Sequence, residues 1–183
     1  MRTHVCKNPS CNAIFTKQKP GQKVCSVSCA IAFSRIERDK KAKTAERKEY
    51  RAKKESMKSR REWLNEAQQA FNAYIRERDK DLPCISCGRF HQGQWHAGHF
   101  YSVAARSNLR FNEDNVQKQC QPCNTEKSGN ALEYRVGLIQ RIGLDRVEAL
   151  EQATEVVKWT IEDAKRIKAE YKAKLKELTQ ERR

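Results

Sequence analysis

Eight cysteines constrain this chain more than any other feature, because they fall into two groups of four with none left over. Cys6, Cys11, Cys25 and Cys29 form the first group, spaced C-x4-C-x13-C-x3-C. Cys84, Cys87, Cys120 and Cys123 form the second, spaced C-x2-C-x32-C-x2-C. A tetrahedral structural zinc takes four thiolates, brought in pairs from two short turns. Four disulfides in a secreted protein are the competing reading. Against it, the first residues lead into no apolar run of the kind a secretory signal carries. No stretch nears the roughly 20 apolar residues of a membrane span. The expectation is an intracellular protein, away from membranes, with reduced cysteines on two Zn²⁺ ions.

Metal also answers a shortage of core. Of 183 residues, 38% are hydrophobic and 33% charged, which suits small modules better than one large core. The net charge of +15 points to a polyanion, most often nucleic acid. A solubility charge, or an arm for anionic lipid, is the plainer reading; zinc modules on the same chain favour nucleic acid.

Four regions are expected. Residues 1–33 form an N-terminal knuckle, with Pro20-Gly21 turning between its cysteine pairs. Residues 34–62 hold thirteen Lys and Arg against six Asp and Glu and no Gly or Pro, so they form a solvated basic helix or a tether that folds on DNA. Residues 63–143 form the central domain. It opens with Trp63, Ala67, Ala70, Phe71, Tyr74 and Ile75 at helical spacing, and this helix ends near Asp79. A strand or hairpin covers 94–101, and a helix begins near Asn124. Leu132, Val136, Ile139 and Ile142 continue at helical spacing until Gly143. Residues 144–183 form C-terminal helices, the last capped by Thr160 and Asp163. On that helix Ile161, Ala164, Lys168, Tyr171, Leu175 and Leu178 make a seam that docks on the domain or pairs with a second copy, the second being preferred.

Between the second cysteine pairs lie His96 and His99, and Asn124 follows the last cysteine. Hydrolysis of a phosphodiester needs a base to deprotonate water and a metal ion to neutralise growing charge. A histidine with a pKa near neutrality suits the first task. The order Cys84-x-x-Cys87, His96-Ala-Gly-His99, Asn115-Val116, Cys120-x-x-Cys123-Asn124 and Lys127 resembles the ββα-metal, or HNH, nucleases. The endonuclease VII type, a Holliday-junction resolvase, is nearest in shape. By that resemblance His99 is the general base, Asn124 a metal ligand and Asn115 the residue that pins the intervening loop.

Longer stretches resemble the NinG (Rap) family of lambdoid phages. They include Gln68-Gln-Ala, Ala73-Tyr-Ile-Arg-Glu-Arg-Asp79, Asp81-Leu-Pro-Cys-Ile-Ser-Cys-Gly88, Ala97-Gly-His99, Leu109-Arg-Phe-Asn112, Lys118-Gln-Cys120 and Lys127-Ser-Gly-Asn130. The resemblance runs from about residue 5 into the last helix. It implies a mostly helical α+β fold: a zinc-stabilised ββα-metal centre, an N-terminal zinc knuckle and long helices. It also implies a recombination endonuclease that cuts branched DNA, Holliday junctions and D-loops, with Mg²⁺ or Mn²⁺. The setting would be the cytoplasm of a bacterial host, with a homodimer and phage recombination proteins as partners. One position departs: the residue three before the base is acidic in the family and is His96 here. As a ligand, His96 would favour Mn²⁺ over Mg²⁺; Glu113 or Asp114 could supply a carboxylate instead. His4 and His91 are assigned no part. Two other readings stand beside this one, a non-catalytic zinc-dependent DNA-binding recombination accessory protein and a sequence-specific HNH homing or restriction enzyme. Within the site, His96 and His99 could be zinc ligands, His99 could be a structural partner of a backbone carbonyl, and Asn124 a simple helix cap.

Overall fold

A computed structural model describes residues 3–182, which separate into two units, Met1–Lys58 and Ser59–Arg183. In the first, β1 (Thr3–Val5) and β2 (Ile14–Thr16) pair antiparallel with His4 opposite Phe15. Gly21 takes the left-handed φ of +81° in the turn before the second cysteine pair. Ser26 then caps α1 (Val27–Ser56) by accepting from the backbone N–H of Cys29, and this folds the fourth thiol back toward the other three. The core here is Cys6, Val24 and Cys29, with Phe15 and Phe33 packed against it. Cys29 is the one buried residue of α1. The rest of this helix, about 45 Å long, stands on the helix propensity of its Ala, Lys, Arg and Glu residues.

The second unit opens with α2 (Arg60–Arg78), capped by a Ser59/Glu62 capping box. Its buried face, Trp63, Leu64, Ala67, Ala70, Phe71 and Ile75, follows the expected helical period. That face packs against α5 (Ile161–Glu181), whose Ala164, Ile167 and Tyr171 are buried in the same core. Phe71 meets Phe111 and Tyr171 edge-on, at ring-centre distances of 5.8 and 4.7 Å. The C-terminal seam is therefore used within the chain. Its Lys168 pairs with Glu66, and the Thr160/Asp163 capping box is present.

Between these helices in sequence comes an antiparallel hairpin packed on α2, β3 (Trp95–His99) with β4 (Val116–Cys120), in a register that sets His96 against Gln119 and His99 against Val116. Buried Asp79 closes α2 onto β4. Its carboxylate accepts from the Lys118 backbone N–H at 2.9 Å and is paired with Arg78.

The segment after β4 departs from expectation. No continuous helix starts at Asn124. Pro122–Glu126 form one wide helical turn, Asn130 takes φ +47°, and α3 (Ala131–Ile142) begins afterwards. The left-handed residues at 128–130 break the path, because an L-residue in that region cannot continue a right-handed helix. The buried face of α3 also differs. Tyr134 and Leu138 are buried, whereas Leu132 and Val136 are exposed. Tyr134 donates to the Gly98 carbonyl at 2.8 Å and accepts from the Gln117 N–H, so α3 is locked to both strands. At Gly137 the helix lies directly on the Ile85 carbonyl, which a Cβ would meet at 1.9 Å. Gly143 ends α3, and α4 (Leu144–Gln152) buries Val147 and Leu150 against it. No helix among the described residues is long and apolar enough to cross a membrane.

Candidate active site

The sulfurs of each cysteine quartet all lie within 4.8 Å of one another. Resolved pairs are Cys11–Cys25 at 3.6 Å, Cys25–Cys29 at 3.8 Å and Cys87–Cys120 at 3.9 Å. Tetrahedral zinc with Zn–S bonds near 2.3 Å sets its sulfurs about 3.8 Å apart. A disulfide needs roughly 2 Å, so both quartets fit a metal ion. Protonation agrees. The Asn8 amide, donating to Cys29 Sγ at 3.3 Å, leads in lowering that thiol to about 6. A hydrogen bond to Cys11 leads in raising Cys25 to about 12. In the second quartet burial raises Cys84, but N–H groups of Cys120, Cys87 and Ser86 outweigh it and bring the thiol to about 7. Burial pushes Cys120 up to about 12. One thiolate forms readily in each set while a neighbour resists, the crowding that a divalent cation relieves.

The second quartet joins two pieces of chain that matter. Cys84 and Cys87 precede β3. Cys120 ends β4, and Cys123 precedes Asn124. The Cys84 sulfur accepts from the Cys120 N–H at 3.4 Å, tying one knuckle to the other. Beside them lies an open cleft of about 460 Å³. His96 and His99 line it from β3, Asn124 from the turn after β4, and Asn72 and Arg76 from α2.

His99 is held by its ring. Nε2 lies 3.2 Å from the Arg110 carbonyl, to which it donates. In the neutral imidazole this leaves the lone pair on Nδ1, the form a general base requires. Burial lowers the His99 pKa below its usual 6.5, against the opposing pull of the Arg110 and Ala97 carbonyls. Asn115 fixes the loop that carries the Arg110 carbonyl. It is fully buried, donates to the carbonyls of Tyr101 and Leu109 at 3.0 and 3.1 Å, and accepts from the Tyr101 N–H at 2.8 Å. Arg110 is itself anchored to α2 through Gln68, whose amide then donates to Asn72.

His96 has a different standing. Its Nε2 is buried without a hydrogen-bond partner. An unpartnered imidazole nitrogen on a cleft that also holds Asn124 is chemically suited to a divalent cation. Among the described residues that line the cleft, no carboxylate joins them. Glu113 is taken up by Lys174, Tyr171 and Tyr74, and Asp114 by Arg146, and neither lines the cleft. Gly98 is required by packing: a Cβ there would stand 2.2 Å from Gln119 Oε1.

Three residues were not legible beforehand. Asn72 and Arg76 sit four apart on α2, away from its buried face, and helix spacing alone did not say that a cleft lies there. His91, assigned no part from sequence, lies 3.1 Å from Cys87 Sγ and meets the Trp95 ring edge-on. Its position four residues after Cys87 was the available signal.

A family model described as the bacteriophage lambda NinG protein matches residues 1–181. The NinG protein of Escherichia phage lambda is 47% identical over 191 aligned positions, covering 97% of this chain and 94% of that protein. That of Salmonella phage P22 is 46% identical with the same coverage. That of Escherichia phage 933W is 51% identical over 130 positions, covering 71% of this chain and 65% of its own. No solved structure matches the chain. On a match that spans nearly every residue, the chain belongs to the NinG family of lambdoid bacteriophages.

Proposed function

We propose that this protein is a metal-dependent, structure-selective endonuclease of the HNH type that cuts branched DNA. The observation that carries the reading is the meeting of His99, His96 and Asn124 on one open cleft beside a cysteine quartet. His99 takes the proton of a water molecule as its oxygen bonds to phosphorus. The bond to the 3′ oxygen breaks, that oxygen takes up a proton, and the ends left are 5′-phosphate and 3′-hydroxyl. Arg76, exposed on the cleft wall, holds a non-bridging phosphate oxygen. Asn115 keeps His99 in place through the loop it pins. Asn124 and His96 would hold the divalent cation, which when bound stabilises charge on the phosphate and leaving oxygen. Branch selectivity comes from backbone contacts and DNA shape, since the charge of +15 favours phosphates over base edges. Action in the host cytoplasm, as a homodimer among phage recombination proteins, completes the reading.

The absence of a carboxylate among the cleft residues supports a second reading, a zinc-dependent accessory protein that binds branched DNA without cutting it. Incubation with a synthetic four-way junction and a linear duplex of the same sequence separates the two. Nicks in the junction, more with Mn²⁺ than with Mg²⁺, are expected, and His96→Asp should shift the preference toward Mg²⁺. Shifted bands without nicks in either metal favour the accessory protein. Equal cutting of linear DNA at one sequence contradicts branch selectivity.

A further inference from the structure

The charge of the chain is unevenly placed. The unit Met1–Lys58 carries sixteen lysines and arginines against five carboxylates, a net +11 of the total +15. Ten of these sixteen cations and all five carboxylates lie on α1, which has almost no packing of its own to maintain. Two hollows mark its surface. One is edged by Lys43, Arg47, Arg51 and Lys54 around exposed Tyr50. The other is edged by Arg38 and Lys41 together with Lys23 from the preceding loop. A helix turns about 100° per residue, which sets the first stripe on one side of α1 and the Arg38–Lys41 stripe on the opposite side. By the same rotation its carboxylates, Glu37, Asp39, Glu46, Glu49 and Glu55, fall on the flanks between them, with Glu46 at the rim of the first hollow and Glu37 at the rim of the second. The ion pairs of this helix are Lys40 with Glu37 and Lys58 with Glu55. None of the seven stripe cations has an ion-pair partner among the described residues.

A helix lying in one groove turns a single side to the bases. Here the five carboxylates lie toward the flanks that would face groove floor and solvent, and eight of the ten cations of α1 point two ways, Arg35 and Lys53 alone lying on a flank. We infer that α1 lies between two separate DNA duplexes and holds a phosphate backbone on each side. The stripe from Lys43 to Lys54 spans about 16 Å, a length over which duplex DNA presents roughly nine phosphates. The inference rests on the reading of this protein as one that handles branched DNA, and it assigns the N-terminal unit a task there: drawing two arms together.

The test is capture of a second duplex. A linear duplex is fixed to beads, the full zinc-loaded protein is added, and retention of a fluorescent second duplex is measured beside ordinary single-duplex binding. One variant carries Lys43→Gln, Arg47→Gln, Arg51→Gln and Lys54→Gln; the other carries Lys23→Gln, Arg38→Gln and Lys41→Gln. Glutamine keeps helix propensity, and circular dichroism verifies the helix. Each variant is expected to lose second-duplex capture at least tenfold. Each should keep single-duplex binding, with a salt dependence shallower by about 0.9 per cation removed from contact. Full capture by either variant overturns the inference, because one stripe, or two copies of the protein, then suffices. Wild-type protein that binds one duplex but never captures a second also overturns it and leaves the DNA reading standing. Wild-type protein that binds neither duplex nor junction sinks both.

Discussion

The two cysteine quartets offer the same four sulfurs to opposite surroundings. Around the first, the buried apolar residues are two of its own cysteines and Val24. The second lies in a unit with two further apolar clusters, one centred on Phe71, Tyr171 and Phe111 and the other on Tyr134, Leu138 and Val147. In the N-terminal unit the metal would be the core. In the C-terminal unit it would be a clamp, holding a strand and an asparagine at fixed places in a fold that has other means of support. A shared ligand set therefore says little about what a metal does; the apolar residues around it decide.

The largest expected effect breaks the comparison directly. Structural zinc contributes roughly 10–16 kcal/mol to small zinc modules. Cys29→Ser should abolish ordered structure in residues 3–26 while the thermal transition of the C-terminal unit stays where it was. Amide chemical-shift dispersion and zinc content, falling from two ions to one, check this. Cys123→Ser should lower that transition yet leave α2 and α5 folded. If Cys29→Ser keeps a dispersed spectrum, the N-terminal unit has a core not accounted for here. Next in size is Gly137→Ala. The added Cβ meets the Ile85 carbonyl, so α3 must lift from the knuckle at a cost of about 3 kcal/mol, read from the denaturation midpoint. Asn115→Ala removes three hydrogen bonds of a fully buried side chain, again about 3 kcal/mol, and should slow cleavage further by loosening the loop that orients His99. Asn8→Ala, its nearest counterpart in the first unit, removes one bond to a sulfur and one accepted from the Ser10 N–H, and should cost about 1–2 kcal/mol, visible mainly as weaker zinc retention.

The same contrast explains what could be read from sequence. Cysteine spacing carried both quartets, helical period carried α2, and helical period with a cap carried α5, because these are local signals. The face of α3 was misjudged because Leu132 and Val136 obey helical spacing as well as Tyr134 and Leu138 do; only the Ile85 carbonyl against Gly137 decides which side turns inward. The seam of α5 was legible as a seam, but its partner, α2, lies some hundred residues away, as the Glu66–Lys168 pair does. Arg76 and His91 acquire meaning only once β3 and the knuckles are placed beside them.

The central claim is that His99 is a base. Its folded pKa is lowered, so the unfolded chain binds a proton that the folded chain refuses as pH falls below about 6.5. The stability from a neutral His99 is complete above that pH and is lost as pH falls through the window between the two values. The cleavage rate should hold level through pH 6.5 and fall only at more acid pH, where His99 protonates. The decisive measurement is the single-turnover rate of four-way-junction cleavage against pH, for the wild type and His99→Ala at matched DNA occupancy. A loss of about 10²- to 10⁴-fold in the variant, together with the acid limb disappearing, is the predicted result. A variant that cuts as fast as the wild type, with the same pH profile, would contradict it.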